Sequence, residues 1–237
     1  MSVHANIKRS VWDSEFFASS IATLTLSNES PVLNEQDLHH YQLIQAKISM
    51  NDYDHLLALQ QLNFQLVEGE IDLLFSNIIE QVKNSSTLQQ AEQHNIPELK
   101  KCAANSFQLS RFREPWFCTE KSAELYSIWV EKAVLGQFDD DCLVIKAENE
   151  TIKGFITLRQ LNMGAARIGL LAVNPDYQGQ GIGQHLIQQA FVWCKQHQLN
   201  QLYVSTQSSN LVALRLYIKC GATISDSAYW LYRLNRL

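Results

Sequence analysis

The tightest constraint on the fold is a junction between two kinds of periodicity. The apolar run IGLLAV, Ile168 to Val173, passes through NPDYQGQGIG into HLIQQAFVWC, and three of the chain's 9 glycines, Gly179, Gly181 and Gly183, fall in that turn. A short apolar run bounded by turn residues predicts a strand buried on both faces. The stretch after it sets Leu186, Ile187, Ala190, Phe191 and Cys194 on one helical stripe. A chain leaving a buried strand for a helix presents unpaired N–H groups at the helix start, where the helix dipole also favours negative charge. Glycines there let the backbone turn through dihedrals that other residues rarely adopt, and let a phosphate approach successive amides. The spacing is not GxxxxGK[ST], since no lysine follows, nor GxGxxG, since the third glycine comes one residue early.

Elements on either side extend the pattern. Downstream of residue 87, helices are expected at IPELKKCAANSF, with Pro97 in the first turn, and at ELYSIWVEKAVLG, ending at Gly136. The strands CLVIKAE, TIKGFITLRQL and ARIGLLAV follow, then the glycine turn and its helix, the strand QLYVST, the helix NLVALRLYIKCG closed by Gly221, and the strand AYWLYRL. Upstream, SIATLTLS reads as a strand, LNEQDLHHYQLIQAKIS as helix then strand, DYDHLLALQQLNF as an amphipathic helix and QLVEGEIDLLF as a strand. The breaker-rich stretch QVKNSSTLQQAEQ puts a junction near Asn84 to Thr87, dividing a smaller N-terminal α/β domain, residues 1–83, from a larger one, residues 87–237. The expected class is α/β (α+β), with a mixed, mostly antiparallel sheet. The closing strand AYWLYRL is expected at a sheet edge, free to pair with a second copy in a homodimer.

Charge and cysteine usage narrow the function. A net charge of -5 argues against general nucleic-acid binding, which needs a basic footprint. The 5 cysteines are scattered without a CxxC pair, and no histidines pair at metal-ligand spacing, so free thiols and no metal site are expected. No apolar stretch is long enough to cross a membrane, and the N-terminus lacks a signal-peptide pattern, which predicts a cytoplasmic protein without membrane insertion. No GxSxG elbow is present, so direct transfer is favoured over a covalent acyl-enzyme.

Two motifs carry a resemblance. Gln178-Gly179-Gln180-Gly181-Ile182-Gly183 fits [Q/R]xxGx[G/A], similar to the coenzyme A loop of the GCN5-related N-acetyltransferases, and Asn210, Ala213, Tyr217 and Gly221 resemble that family's NxxAxxxYxxxG helix. The stretches WDSEFF, QAKI, LVEGEIDL, SRFREPW, ARIGLLAV and AYWLYR further resemble the acetyltransferases of dTDP-linked amino sugars, and they lie in both halves of the chain. The resemblance implies the family's fold over residues 87–237, acetyl-CoA as cosubstrate, a dTDP-linked amino sugar as acceptor, and transfer to its 4-amino group.

It also implies roles. Gln178, Gly179, Gln180, Gly181, Ile182 and Gly183 would hold the pyrophosphate, and the main chain of Leu171, Ala172 and Val173 would pair with pantetheine, an amide near Leu171 stabilising the oxyanion. Tyr217 would protonate departing coenzyme A; a phenol with pKa about 10 is still protonated where a thiol near 8.5 leaves as thiolate. Asn210 would lie near pantetheine, with helix capping an equally open role. For the base, Glu68 is the first candidate, through water, with Glu70 and Asp72 as alternates. Arg111 and Arg113 offer forked donors to the diphosphate, unless alternation on a strand turns one of them away. The coenzyme motifs do not encode the acceptor, so another amine, or an acyl-CoA-binding module without catalysis, stays open.

Overall fold

The computed structural model describes residues 3–82, 88–107 and 109–235, so the junction expected at residues 84–87 lies outside the described residues. In chain order the elements are β1 (Ala5–Arg9), α1 (Val11–Phe16), β2 (Ile21–Leu26), α2 (Glu35–Leu38), β3 (Leu43–Ser49), α3 (Tyr53–Gln61), β4 (Gln65–Ser76) and α4 (Ile78–Gln81). There follow α5 (Ile96–Ser106), α6 (Thr119–Val134), β5 (Asp141–Lys146), β6 (Ile152–Leu161), β7 (Ala165–Val173), α7 (Ile182–Gln196), β8 (Gln201–Gln207), α8 (Leu211–Lys219) and β9 (Thr223–Leu234). All the strands join one sheet in the order β1-β2-β3-β9-β4-β8-β7-β6-β5. Pairing is parallel at β2/β3 and β7/β8 and antiparallel elsewhere.

One expectation is corrected here. The strand AYWLYRL is not an edge: along this stretch β9 pairs with β3 on one side and, as far as Tyr232, with β4 on the other, so it does not offer a second copy the free edge expected of it. Its polar first half, TISDSA, is mostly exposed and pairs with β4 on one side, the β3 ladder beginning only at Ala228.

Alternation along the strands sorts side chains to two faces. On one face α7 and α8 share a core with Leu73, Phe75, Ile168 and Val204, and α3 extends that layer under Ile44, Ala46, Ile48 and Leu231. On the other, α5 and α6 pack Leu99, Tyr126 and Val130 against Val144, Phe155, Leu170 and Ala172, and the loop 109–118 sets Phe112, Trp116 and Phe117 against Leu43 and Tyr232. The helix α7 follows from its stripe: Leu186, Ile187, Ala190, Trp193 and Cys194 are fully buried, each large apolar group contributing about 1.5–3 kcal/mol. Asp52 and Asn210 begin α3 and α8 by accepting the amides of His55 and Ala213. Among the described residues no helix is long and apolar enough to cross a membrane.

Candidate active site

The parallel strands β7 and β8 pair only from Ala165–Arg167 to Gln201–Tyr203 and then part, leaving a cleft of about 1140 Å³ whose walls include Leu171, Ala172 and Val173 on one side and Val204 to Gln207 on the other. A β-bulge accompanies the parting. Ile156 opposes Leu171 but Leu158 opposes Ile168, so two residues of β7, Gly169 and Leu170, face one of β6. Side-chain parity flips across it: Ala166 and Ile168 belong to the core under α7, whereas Leu170 and Ala172 pack under α5 and α6.

The bulge also aims the backbone. Leu170 N–H donates to Thr157 Oγ1 at 2.8 Å and Asn174 N–H to the Lys153 carbonyl at 2.9 Å, both toward β6. Alternation therefore turns the N–H groups of Leu171 and Val173 away from β6, into the cleft. Gly169 is required by space: a Cβ would stand 2.2 Å from Asp139 Oδ2 and 2.7 Å from Thr157 Oγ1. Asp139, 1% exposed, is held by Trp129 Nε1–H at 2.7 Å, and its other oxygen faces Arg159 Nε at 3.9 Å.

At the mouth of the cleft the three glycines divide their work. Gly179 and Gly181 sit at φ 76° and 80°, the left-handed region, and Gly181 is the N-cap of α7. Gly183 instead serves packing, because a Cβ there would lie 2.9 Å from Leu216 Cδ2 on α8. Geometry leaves the amides of Ile182, Gly183 and Gln184 without intrahelical acceptors, and no acidic side chain occupies the first turn of α7. Gln178, Gly179, Gly181, Ile182 and Gly183 line the cleft, Gln180 directs its amide nitrogen to the Asp176 carbonyl at 3.5 Å, and Arg215 and Lys219 stand on the opposing rim.

Tyr217 lines the same cleft, 5% exposed, edge-on to Phe75 at 6.4 Å between ring centres. Burial, and to a lesser degree Cys220, pushes its phenol well above the usual tyrosine range. Asn210 both lines the cleft and caps α8, accepting Ala213 N–H at 3.2 Å.

Loop 109–118 and β4 form the far end, and here the structure separates candidates that the sequence groups. Arg111 points into the cleft, its guanidinium carbon 4.1 Å from the Phe112 ring centre and 3.9 Å from that of Trp230, with Nη1 donating to Gln45 Oε1 at 2.8 Å and to the Tyr232 hydroxyl. Arg113 turns toward β4, donating to Glu68 at 2.8 Å, the Val67 carbonyl at 2.7 Å and the Ser110 carbonyl at 2.9 Å. The segment is a loop, so strand alternation does not set this divergence. Glu68 is 9% exposed, with one oxygen on Arg113 and the other on Gly69 N–H at 3.0 Å. The carboxylate that lines the cleft is Glu70, bonded to Lys47 Nζ at 2.6 Å and Trp230 Nε1 at 2.9 Å. Asp72 takes the Ser205 hydroxyl and lies 3.4 Å from Lys47, while Arg167 donates to Ser205 Oγ at 3.0 Å.

Comparison with known proteins agrees with this architecture. The profile of the acetyltransferase (GNAT) family matches residues 107–222. A dTDP-fucosamine acetyltransferase from Escherichia coli O6:H1 is 40% identical over 233 residues, spanning 98% of this chain and 100% of the relative. The chain belongs to the GNAT family of acetyltransferases. In fold, this GNAT protein superposes on a GCN5-related N-acetyltransferase from Sphaerobacter thermophilus with a TM-score of 0.62 at 12% identity, over 98% of this chain and 76% of the other. It also superposes on the PaiA N-acetyltransferase from Thermoplasma acidophilum, solved with coenzyme A, with a TM-score of 0.51 at 19% identity, over 63% of this chain and 98% of the other.

Two features of this GNAT site escape the sequence reading. The bulge at Gly169 has a signal, an isolated glycine inside a strand, though IGLLAV shows no break in apolar character because both faces of β7 are buried. The clamp of Lys47 and Trp230 on Glu70 has none, since it joins three strands distant in sequence. Among the described residues no three His, Cys, Asp or Glu side chains gather as metal ligands.

Proposed function

We propose that the protein transfers acetyl from acetyl-CoA to the 4-amino group of dTDP-4-amino-4,6-dideoxy-D-galactose, dTDP-fucosamine, a step toward enterobacterial common antigen. The observation that carries this reading is the span of the 40% identical relative, which includes β3 and β4, the strands that supply Lys47 and Glu70 to the far end of the cleft. A match confined to the coenzyme-binding half would support acetyl transfer but no particular acceptor.

The residues fit the coenzyme. Pantetheine lies along β7 where β8 has parted from it, meeting the N–H groups of Leu171 and Val173 as an added strand would. Its pyrophosphate meets the amides of residues 179–184 at the start of α7, with Arg215 and Lys219 near the remaining phosphate. Asn210 stands beside the pantetheine arm while capping α8. Arg111, stacked between aromatic rings and bonded to the protein through Nη1, presents its remaining nitrogens to the sugar nucleotide's diphosphate. Arg113, used within the protein, holds loop 109–118 against β4.

In the reaction the neutral amine attacks the thioester carbonyl carbon. The C–N bond forms as the carbonyl electron pair moves to oxygen, where Leu171 N–H receives the developing charge. Collapse breaks the C–S bond, and the thiolate takes the proton of the Tyr217 hydroxyl; the surplus proton on the acylated nitrogen leaves to solvent, which restores the phenol. Because burial raises that phenol's pKa, the acid is fully protonated throughout the physiological range. The test is incubation with acetyl-CoA and dTDP-4-amino-4,6-dideoxy-D-galactose, following coenzyme A release and the acetylated sugar by mass. Release with this acceptor, at rates far above those with peptides or amino acids, is expected; preference for a peptide N-terminus contradicts the reading.

A further inference from the structure

We propose that Glu70 is the group that takes the acceptor's proton, held in place by Lys47 and Trp230. The proposal rests on the acetyl transfer described above and adds to it a residue, a direction and a supporting pair.

Register puts Glu70 opposite the reacting thioester. Arg167 of β7 pairs with Tyr203 of β8, and Glu70 of β4 pairs with Gln207 of β8. Counting along both strands from the last β7/β8 pair, and allowing one residue for the bulge, Leu171 comes level with the Thr206–Gln207 end of β8. Glu70 therefore stands one strand beyond β8 at the height of the Leu171 amide, about 10 Å away at ordinary strand spacing and farther where the strands part. That gap accommodates a thioester carbonyl, an attacking nitrogen and one water.

Orientation agrees with position. On β4, Glu68, Glu70 and Asp72 share the face that loop 109–118 covers, but they meet different partners. Glu68 is capped by Arg113 and Gly69 N–H, and Asp72 by Ser205 and Lys47. Glu70 is fixed by two donors from separate strands, the Lys47 ammonium and the Trp230 indole N–H, and still lines the cleft. The same Trp230 ring carries the Arg111 guanidinium, so one side chain ties the proton acceptor to the cation assigned to the diphosphate. The charged groups around Glu70 include Lys47 on β3, Glu68 and Asp72 on β4, Arg111 and Arg113 on the loop and Arg167 on β7.

In the balanced step, the bound ammonium gives one proton to Glu70, directly or across one water, and the freed lone pair attacks the thioester. The second proton that the nitrogen sheds as the amide forms passes to solvent, which in turn restores the Tyr217 phenol once it has protonated the thiolate. The carboxylic acid returns the proton to solvent after product leaves. The wild-type enzyme thus uses the ammonium form of its acceptor, whereas an enzyme without Glu70 waits for the neutral amine.

Glu70→Gln keeps the size and one acceptor oxygen. Its kcat/KM for dTDP-4-amino-4,6-dideoxy-D-galactose is expected to fall about 10²-fold at pH 6.5 and less than about 10-fold at pH 9, above an amine pKa near 8. Loss of mere structural support would lower the rate by the same factor at every pH. Calorimetric acetyl-CoA affinity, matching wild type, reports an intact fold. Should Glu70→Gln not bind acetyl-CoA, Glu70→Asp, which keeps the charge but withdraws it from the cleft, is expected to show the same pH-dependent loss. A pH-independent loss, an unaffected enzyme, or a pH-dependent loss produced by Glu68→Gln in its place overturns the proposal. If wild type leaves the dTDP sugar untouched, the acceptor assignment alone falls, and the variants are compared on free glucosamine and hexylamine. An enzyme that acetylates none of these overturns both.

Discussion

Gly169→Ala tests whether the bulge in β7 makes the oxyanion site. The added Cβ would lie 2.2 Å from Asp139 Oδ2, 2.7 Å from Thr157 Oγ1 and 2.9 Å from Asp139 Cγ. Neither neighbour moves freely, since Asp139 is buried on Trp129 Nε1 and Thr157 Oγ1 accepts the Leu170 amide. Overpacking of this kind costs about 1–3 kcal/mol, and loosening a hydrogen bond to a buried carboxylate about 1.5–3 kcal/mol more. A loss of about 3–5 kcal/mol lowers Tm by on the order of 10–15 °C in a chain of this size. Straightening the bulge also rotates the Leu171 amide, and losing one oxyanion donor costs about 10²-fold or more in kcat. Coenzyme affinity, which the proposed function assigns mainly to the start of α7, is expected to change less than about 5-fold. The assays are a thermal melt, coenzyme A release followed with a thiol reagent, and calorimetric titration of acetyl-CoA. A variant that melts early yet keeps its kcat would refute the oxyanion role, and one with an unchanged Tm would refute the rigidity assigned to Asp139.

Further expectations follow from the same geometry. Tyr217→Phe should lower kcat by about 10²-fold or more and leave coenzyme affinity nearly unchanged, and equal turnover would remove the phenol from the mechanism. Gly181→Ala puts a Cβ on a residue at φ 80°, so a strain of about 1–2 kcal/mol should weaken acetyl-CoA binding about 5- to 30-fold; calorimetry showing wild-type affinity would count against the turn. Arg111→Ala should raise KM for the sugar nucleotide at least about 10-fold with little effect on that for acetyl-CoA, and equal effects on both would contradict its place. Stability should hold through neutral pH and decline above about pH 9. Burial raises the Cys194 thiol from 9.0 to about 12 and lifts the phenols of Tyr217, Tyr126 and Tyr232, so unfolding releases protons that the native state retains. A melting temperature flat to pH 11 would contradict this.

The junction at Gly179 to Gly183 was legible because dihedral freedom and helix-start chemistry are local, and two of its three glycines do adopt the left-handed region. The helices α3, α5, α6, α7 and α8 were legible for the same reason, each having its own apolar stripe or cap. Pairings between distant segments were not legible: nothing within AYWLYRL says that β3 and β4 flank it, and nothing within LVEGEIDL says which carboxylate meets Arg113 and which meets Lys47. SRFREPW shows two equivalent arginines, and only packing against Trp230 on one side and Glu68 on the other tells them apart. The parity flip in β7 was hidden because apolar residues suit both of its buried faces.

The central claim, that the parted strands β7 and β8 hold the thioester between a main-chain amide and a buried phenol, is tested most directly by a crystal structure with acetyl-CoA. The expected result is the thioester oxygen about 3 Å from Leu171 N, the sulfur within hydrogen-bonding reach of the Tyr217 hydroxyl and the pyrophosphate on the amides of residues 179–184. A coenzyme bound elsewhere, or a thioester carbonyl turned away from β7, would contradict it.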